Sequence, residues 1–140
     1  MSYTKYKNKL VAVLNKTIEP GKMMNALAHM SIGLGAVIGK EALRLTNYQD
    51  KDGNSHPFIS ELPFIILSEN SNKIRKLRHE AIAQNILCND FTDTMTVGTY
   101  QDQIIRTLET NEDELVYYGI VLYGDWDTVT ELTRKFSLWR

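Results

Sequence analysis

The apolar positions of this chain alternate between short continuous runs and longer segments with helical spacing. Residues 10–14 and 63–67 are continuous apolar runs, which are typical of strands covered on both faces of a sheet. Residues 23 to about 39 are rich in Ala, Met and Leu and predict a helix. Pro20 suits the start of that helix, because a proline lacks the N–H that would have no helical partner there.

The rest of the chain predicts a hairpin, three more helices and two more strands. Residues 43–48 and 56–60 flank a Gln-Asp-Lys-Asp-Gly-Asn segment, which predicts a β-hairpin. The Asp50 and Asp52 pair in it lacks the later ligands of a calcium loop, so a plain turn is expected. Ser71 or Asn72 can cap a helix that runs to about residue 85. The remaining predictions are a short strand at 86–88, a helix at 100–108, a long strand at 115–123 and a helical tail at 127–135.

Strands that alternate with helices predict an α/β fold, and the hairpin and the closely spaced late strands predict a mixed sheet. We expect a three-layer sandwich in which helices cover both faces of a sheet of about four strands. No linker, repeat or low-complexity segment interrupts the sequence. A single domain over residues 1–140 is therefore expected.

The amino-acid composition indicates the class of protein and the cellular compartment to expect. The chain is 43% hydrophobic and 24% charged, as in ordinary soluble globular proteins. Its single cysteine, Cys88, excludes an intrachain disulfide framework and a metal site built from several cysteines. The sequence shows no signal peptide, and the apolar run at 10–14 is too short to span a membrane. These features predict a cytoplasmic protein that does not enter a membrane.

Charge is nearly balanced overall but is unevenly distributed. The net charge is −1, which argues against a general polyanion binder. Residues 1–40 hold six lysines and one acidic residue, residues 73–78 form a second basic cluster, and residues 107–131 hold seven acidic residues and no basic one. Either these segments are ordinary solvated surface, or the basic ones share a face that attracts an anionic ligand.

Lys22, Asn25 and His29 form the first candidate site. Their i, i+3 and i+7 spacing places them within roughly 60° of one another on a helix. Lys22 lies in the first helical turn, where the free N–H groups and the helix dipole favour an anion. The alternative is a solvated lysine and a histidine packed in the core.

Other chemistry is poorly supported by the sequence. His56 and His79 are isolated, so the three histidines form no recognisable metal motif, and neither a metal nor a cofactor is expected. Trp126, Trp139 and the nearby tyrosines lie in the acidic third of the chain. A base-stacking platform needs basic residues beside its aromatics, so a nucleic-acid partner is doubtful.

The opening of the chain resembles two related protein families. The segment from Leu14 to Ala36 contains the pattern LNK, EPGK and NALAHMS followed by GLGA, and a YGI segment follows near the end. This pattern resembles an uncharacterised bacterial family, domain-of-unknown-function family 2000. A strand, a Gly-Lys and a histidine seven residues after the lysine also resemble the start of the type II peptidyl-tRNA hydrolases. The resemblance covers essentially the whole chain and implies a hydrolase-like α/β fold.

The resemblance also implies a set of site residues. Asp90 and Thr94 match an aspartate and a threonine that the hydrolases carry four residues apart. Lys22, His29, Asp90 and Thr94 would then converge as catalytic residues at one end of the sheet, with Lys22 and Asp90 within ion-pair distance. Gly21 and Asn25 would contribute to substrate binding.

The first functional hypothesis is a hydrolase for an ester or amide of an acylated amino acid or nucleotide-linked substrate. In that hypothesis Lys22 stabilises negative charge, Asp90 activates water, Thr94 positions the carbonyl, and His29 supports the site or moves a proton. The glutamine that the hydrolases carry three residues before the histidine is Ala26 here. This difference and the net charge argue against peptidyl-tRNA as the substrate.

Two other classes remain open. A non-catalytic binding module would retain the pocket for a small anionic metabolite, and the loss of the glutamine favours it slightly. An oligomeric structural protein, with a homodimer as the possible assembly, is supported only by the apolar and aromatic tail.

Overall fold

The structure is a computed structural model that describes residues 6–139. Its strands are β1 (Asn8–Asn15), β2 (Leu45–Gln49), β3 (Ser55–Ser60), β4 (Phe64–Glu69), β5 (Leu87–Thr92), β6 (Tyr117–Asp125) and β7 (Ser137–Leu138). Its α-helices are α1 (Pro20–Ile38), α2 (Ser71–Ala83), α3 (Tyr100–Leu108) and α4 (Trp126–Thr133). Single turns of 3-10 helix cover Asp93–Met95 and Glu112–Glu114.

The main sheet is mixed and has the strand order β5-β6-β1-β4-β7. β1 and β4 are parallel, with Leu10 opposite Phe64. β6 is antiparallel to both β1 and β5. The predicted mixed sheet is confirmed, but it has a fifth strand, because the two residues of β7 pair with β4. A strand of two residues has no periodicity from which it could have been predicted.

Helices cover both faces of this sheet. In β1, Val11 and Val13 pack with α2 and α4, whereas Leu10, Ala12 and Leu14 pack with α1. Each residue from Leu10 to Leu14 is therefore buried, which is why β1 reads as a continuous apolar run. The α/β fold and the helices on both faces agree with the sequence prediction.

Several predicted boundaries shift in the structure. β5 continues to Thr92, well beyond the predicted strand at 86–88, because polar positions in it have partners from other elements. The Asn70 side chain caps α2 by accepting a hydrogen bond from the Lys73 N–H at 3.0 Å, one residue before the predicted caps. That helix ends early, since Asn85 has a left-handed φ of 58°.

The hairpin of β2 and β3 forms a separate two-stranded sheet. Its turn is held by Asp50, whose Oδ1 accepts hydrogen bonds from the N–H groups of Asp52 and Asn54 at 3.0 and 2.9 Å. His56 contacts the other oxygen of the same carboxylate at 2.9 Å. The expected plain turn is confirmed.

One edge of the main sheet gathers the ends of four strands. β1, β4 and β5 run in the same direction and end there at Asn15, Glu69 and Thr92, while antiparallel β6 begins there at Tyr117. We call this edge the carboxyl edge. The chain leaves it after β1 to form α1 on one face and after β4 to form α2 on the other. Among the described residues, no helix is long and apolar enough to cross a membrane.

Candidate functional site

Lys22, Asn25 and His29 lie on the exposed side of α1. Lys22 is in the first turn, where no side chain caps the helix amino terminus. Within residues 6–139, the Lys22 ammonium has no carboxylate within 4.0 Å and no hydrogen-bond partner. Lys22 is thus a free cation beside a helix amino terminus, at the carboxyl edge of the sheet.

His29 is exposed, so the alternative of a core histidine is wrong. Its ring stacks on that of Phe91 with centroids 5.7 Å apart and an angle of 28° between planes. Phe91 is 8% exposed, and its ring centroid also lies 6.1 Å from that of Tyr118. The His29 side chain on α1 is therefore held against β5 by an aromatic contact.

Asp90 lies on the opposite face of the sheet from α1, so the predicted ion pair with Lys22 is wrong. Successive residues of a strand point to opposite faces, and Phe91 packs on the α1 side. Asp90 consequently faces α2, where its Oδ1 accepts a hydrogen bond from the Arg78 Nε at 3.0 Å. The Asp90 carboxylate is therefore paired with Arg78.

Thr94 is buried rather than accessible to a substrate. Thr94 is 2% exposed, and its hydroxyl lies 2.8 Å from the hydroxyls of both Thr92 and Thr107. Arg106 donates to the Thr94 carbonyl at 3.1 Å. These contacts attach α3 to the end of β5. Lys22, His29, Asp90 and Thr94 therefore do not converge as the resemblance implied.

A different charged group occupies the carboxyl edge. The Glu69 carboxylate at the end of β4 lies 3.6 Å from the Lys16 ammonium through Oε1 and 3.6 Å from the Lys73 ammonium through Oε2. The Asn70 N–H also donates to Oε1 at 3.0 Å. We call Lys16, Glu69 and Lys73 the carboxyl-edge cluster. It joins the loop after β1 to the start of α2.

The environment of Glu69 favours its charged form. Burial opposes the charge, but the Asn70 N–H and the ammonium groups of Lys16 and Lys73 outweigh burial and lower the pKa of the carboxyl. Sequence reasoning missed this residue. The available signal was a carboxylate directly after a buried strand and before a helix cap.

A second polar cluster lies under α2 and centres on Glu112. Its Oε2 accepts a hydrogen bond from the Tyr117 hydroxyl at 2.6 Å and lies 3.1 Å from His79 Nε2 and 3.8 Å from Arg75 Nε. Burial, and then the hydrogen bond to Glu112, raise the pKa of Tyr117. His79 is therefore not isolated, contrary to the sequence interpretation. Since Tyr117 is 1% exposed, we assign this cluster to holding the 3-10 turn against α2.

Among residues 6–139, no three histidine, cysteine, aspartate or glutamate side chains are placed to hold a metal ion. Gly21, a predicted binding residue, has room around it, since an added Cβ would meet Glu19 Oε1 at 3.5 Å. The Glu19 carboxylate therefore also lies beside the amino terminus of α1.

Comparisons with known proteins add a family and a fold. Residues 8–140 match a family model described as protein of unknown function, DUF2000. No curated protein matches the chain. A solved structure of a protein of unknown function from Agrobacterium tumefaciens is similar, with a TM-score of 0.81 and 17% sequence identity, covering 96% of this chain and 99% of that one. At that identity the likeness establishes the shared fold alone.

Proposed function

This chain belongs to the DUF2000 family of proteins of unknown function, and from the geometry of its carboxyl edge we propose that it is a binding module for a small anionic metabolite. The observation that carries the proposal is the free ammonium of Lys22 in the first turn of α1, whose amino terminus no side chain caps. An anion there would gain a charge partner, the positive end of the helix dipole and the Gly21 N–H. Pro20 has no N–H, and the N–H groups of Lys22 and Met23 already donate to the Glu19 carbonyl at 3.0 and 3.1 Å.

The topology of the sheet supports the same location. β1 and β4 are neighbouring parallel strands, and the helices that follow them lie on opposite faces. Ligands of open α/β sheets commonly bind in the crevice outside the carboxyl ends of such strands, where the connections diverge. In this chain the corresponding position is between the loop after β1 and the start of α2, at the carboxyl-edge cluster.

The cations at this edge differ in how much of their charge is already used. Lys16 and Lys73 share the carboxylate of Glu69 at 3.6 Å each. Lys22 has no carboxylate within ion-pair distance among the described residues. We therefore expect Lys22 to contribute most of the affinity for an anion, while Lys16 and Lys73 set the local positive potential.

A hydrolase related to the type II peptidyl-tRNA hydrolases is the second proposal. The Pro20-Gly21-Lys22 junction and the accessible side of α1 with His29 support it. Its substrate would be an ester or amide of an acylated amino acid or a nucleotide-linked compound. Such an enzyme needs a group to activate water, but Asp90 is bound to Arg78 on the other face. Binding without turnover is therefore the proposal that the geometry favours.

The test begins with a thermal-shift screen of amino-acid derivatives and nucleotides on the wild-type protein. A compound that raises the melting temperature is then titrated by calorimetry into the wild type, Lys22→Ala and Lys51→Ala. Lys51 is the matched control because it is an exposed lysine in the turn between β2 and β3, outside the carboxyl edge. We expect Lys22→Ala to weaken binding by about 1.5–3 kcal/mol, the worth of a charge-assisted hydrogen bond.

Equal affinities for Lys22→Ala and Lys51→Ala would contradict the proposed anion site. Hydrolysis of the bound compound would favour the second proposal instead. In that case Asp90→Asn tests the role of the carboxylate. Lost turnover with unchanged affinity would show that Asp90 takes part in the reaction.

A further inference from the structure

A groove with a volume of about 630 Å³ lies between α2 and α4. It includes Glu69 and Lys73, so it opens directly onto the carboxyl-edge cluster. From there it follows α2 toward Ala83 and Gln84. Its volume falls in the range of sites that hold small organic molecules, about 300–1,000 Å³.

The floor of the groove is apolar. Leu77 of α2 is 1% exposed, and Leu132 of α4 and Phe136 after it are partly buried. Phe136 adds a flat aromatic surface on the side of the groove formed by the segment after α4. A ligand with an apolar body would displace water from the exposed parts of Leu132 and Phe136, which is favourable in proportion to the area covered.

The charges on the rim are only partly neutralised. Arg134 pairs with Glu131 at 2.8 Å and Lys73 with Glu69 at 3.6 Å. By contrast, Lys76 and Lys135 have no ion pair or hydrogen bond from their side chains to any described residue. Both lysines are exposed, so their charges are accessible to a ligand in the groove.

The two ends of the groove differ in charge. Lys73, Lys76 and Lys135 lie toward the carboxyl edge, because α2 starts at that edge and the segment after α4 returns to β7 beside β4. Glu80 lies one helical turn beyond Lys76, and its carboxylate has no ion pair with any residue of 6–139. An anionic group is therefore favoured at the carboxyl-edge end and disfavoured at the other.

We propose that this groove binds the apolar body of an amphipathic anion whose charged group is held by Lys76 and Lys135 at the carboxyl edge. The inference goes beyond the proposed function, because the groove lies on the face of the sheet opposite α1 and does not include Lys22. It excludes strongly hydrophilic anions as the preferred ligands, because these would leave the exposed parts of Leu132 and Phe136 in contact with water.

The experiment uses 4-phenylbutyrate as the probe, followed by amide chemical shifts of the isotope-labelled full chain. We expect the shift changes to concentrate at residues 73–84 and 131–136. Lys76→Ala and Lys135→Ala should each bind 4-phenylbutyrate about tenfold more weakly, because each removes one charge-assisted contact. The neutral analogue 4-phenylbutanol should bind the wild type more weakly still, because it lacks the charge that both lysines hold. Lys51→Ala should bind like the wild type.

A charge placed on the floor gives an independent test. Leu132→Asp should abolish the response of the groove to 4-phenylbutyrate, because a carboxylate in the floor repels the probe and removes apolar surface. If that variant does not fold, the Lys76→Ala and Lys135→Ala comparison still decides, since both lysines lie on the rim.

The outcomes separate this inference from the proposed function. Inorganic phosphate is titrated in parallel, with Lys22→Ala as its variant. If phosphate shifts the start of α1 in a Lys22-dependent manner while 4-phenylbutyrate leaves the groove unchanged, the inference is wrong and the proposed function stands. If 4-phenylbutyrate fills the groove and no anion responds to Lys22→Ala, the groove is supported and the Lys22 site is wrong. Shift changes confined to the exposed apolar residues of α1 or α3 would overturn the groove as the site.

Discussion

The Nε atom of Arg78 lies 3.0 Å from Oδ1 of Asp90 and joins the middle of α2 to β5. The side chains are 31% and 21% exposed, so the pair is partly shielded from water. Cys88, two residues earlier in β5, faces the same side, and burial together with the Asp90 charge raises the pKa of its thiol. The pair therefore serves the packing of α2 rather than the accessible surface of α1.

Removing the cation of this pair should destabilise the fold. In Arg78→Ala the Asp90 carboxylate loses its partner in a partly desolvated position, and we expect the free energy of unfolding to fall by about 1–3 kcal/mol. Asp90→Asn should cost less, because the amide oxygen can still accept a hydrogen bond from Arg78. Urea denaturation of both variants measures the difference.

Arg134→Ala is the matched control for that prediction. Its ion pair with Glu131 is also short, at 2.8 Å, but the side chains are 59% and 71% exposed. Exposed pairs contribute little, so a change within about 0.5 kcal/mol is expected. If Arg78→Ala also changed the free energy of unfolding by no more than this, the Arg78 and Asp90 pair would not stabilise the packing of α2.

The sequence predicted best those elements in which every residue has the same kind of environment. β1 could be read directly, because both of its faces are buried and its apolar run is unbroken. β5 could not be predicted over its full length. The Asn89 side chain donates to the Met30 carbonyl at 3.0 Å, and Asp90 pairs with Arg78. Polar residues whose partners lie far away in the sequence look like a loop when only the sequence is known.

The same boundary error explains why the candidate site was only partly predicted. Helical spacing correctly placed Lys22, Asn25 and His29 together, because α1 is regular there. The predicted strand ended at Cys88, so the alternation of side chains could not be applied to Asp90 and Phe91. The cluster around Glu69 depends on how two loops meet, and no local pattern contains that information.

Gly119 of β6 is expected to tolerate no side chain. A Cβ there would lie 2.9 Å from Leu14 Cδ2, 3.0 Å from Met30 Cε and 3.1 Å from the Val13 carbonyl oxygen. The backbone oxygen cannot move without distorting β1. We expect Gly119→Ala to lower the free energy of unfolding by about 1–3 kcal/mol, the usual cost of overpacking, as measured by thermal or urea unfolding.

Gly21→Ala provides the comparison, because its Cβ would meet only Glu19 Oε1 at 3.5 Å. In the first turn of α1 an alanine should be neutral or stabilising by up to about 1 kcal/mol. A large loss of stability in Gly21→Ala, or none in Gly119→Ala, would contradict the packing around these positions.

α3 is expected to depend on hydrogen bonds rather than on apolar burial. None of its residues is buried, and Leu108 is 82% exposed. The Thr107 hydroxyl instead lies 2.8 Å from that of Thr94. Thr107→Val keeps the shape but removes this contact, so we expect a loss of about 1–2 kcal/mol and faster amide exchange within α3. Leu108→Lys, by contrast, should change the free energy of unfolding by no more than about 0.5 kcal/mol. A larger loss of stability in Leu108→Lys than in Thr107→Val would show that apolar packing holds the helix.

The carboxylates of Glu69 and Glu112 should make the fold sensitive to acid. The pKa of Glu69 is lowered despite its burial by the Asn70 N–H, Lys16 and Lys73, and that of Glu112 is lowered by Tyr117 and then by His79 and Arg75. Both pKa values lie below the ordinary 4.5 in the folded state. A carboxyl group with a lowered folded pKa stabilises the protein fully above its unfolded pKa, and this stabilisation is lost as the pH falls through the folded value.

We therefore expect the contribution of these two carboxylates to the free energy of unfolding to be constant above about pH 5. It should decline as the pH falls below the ordinary carboxyl pKa. Glu69→Gln and Glu112→Gln should each lower stability at neutral pH and reduce the decline in acid, so that their curves approach that of the wild type at low pH. Glu41→Gln is the control, since Glu41 is exposed and has no side-chain ion pair among residues 6–139. Urea denaturation from pH 7 to pH 2 measures all four proteins. Curves that remain parallel to the wild type throughout would mean that neither carboxylate is stabilised by the partners described for it.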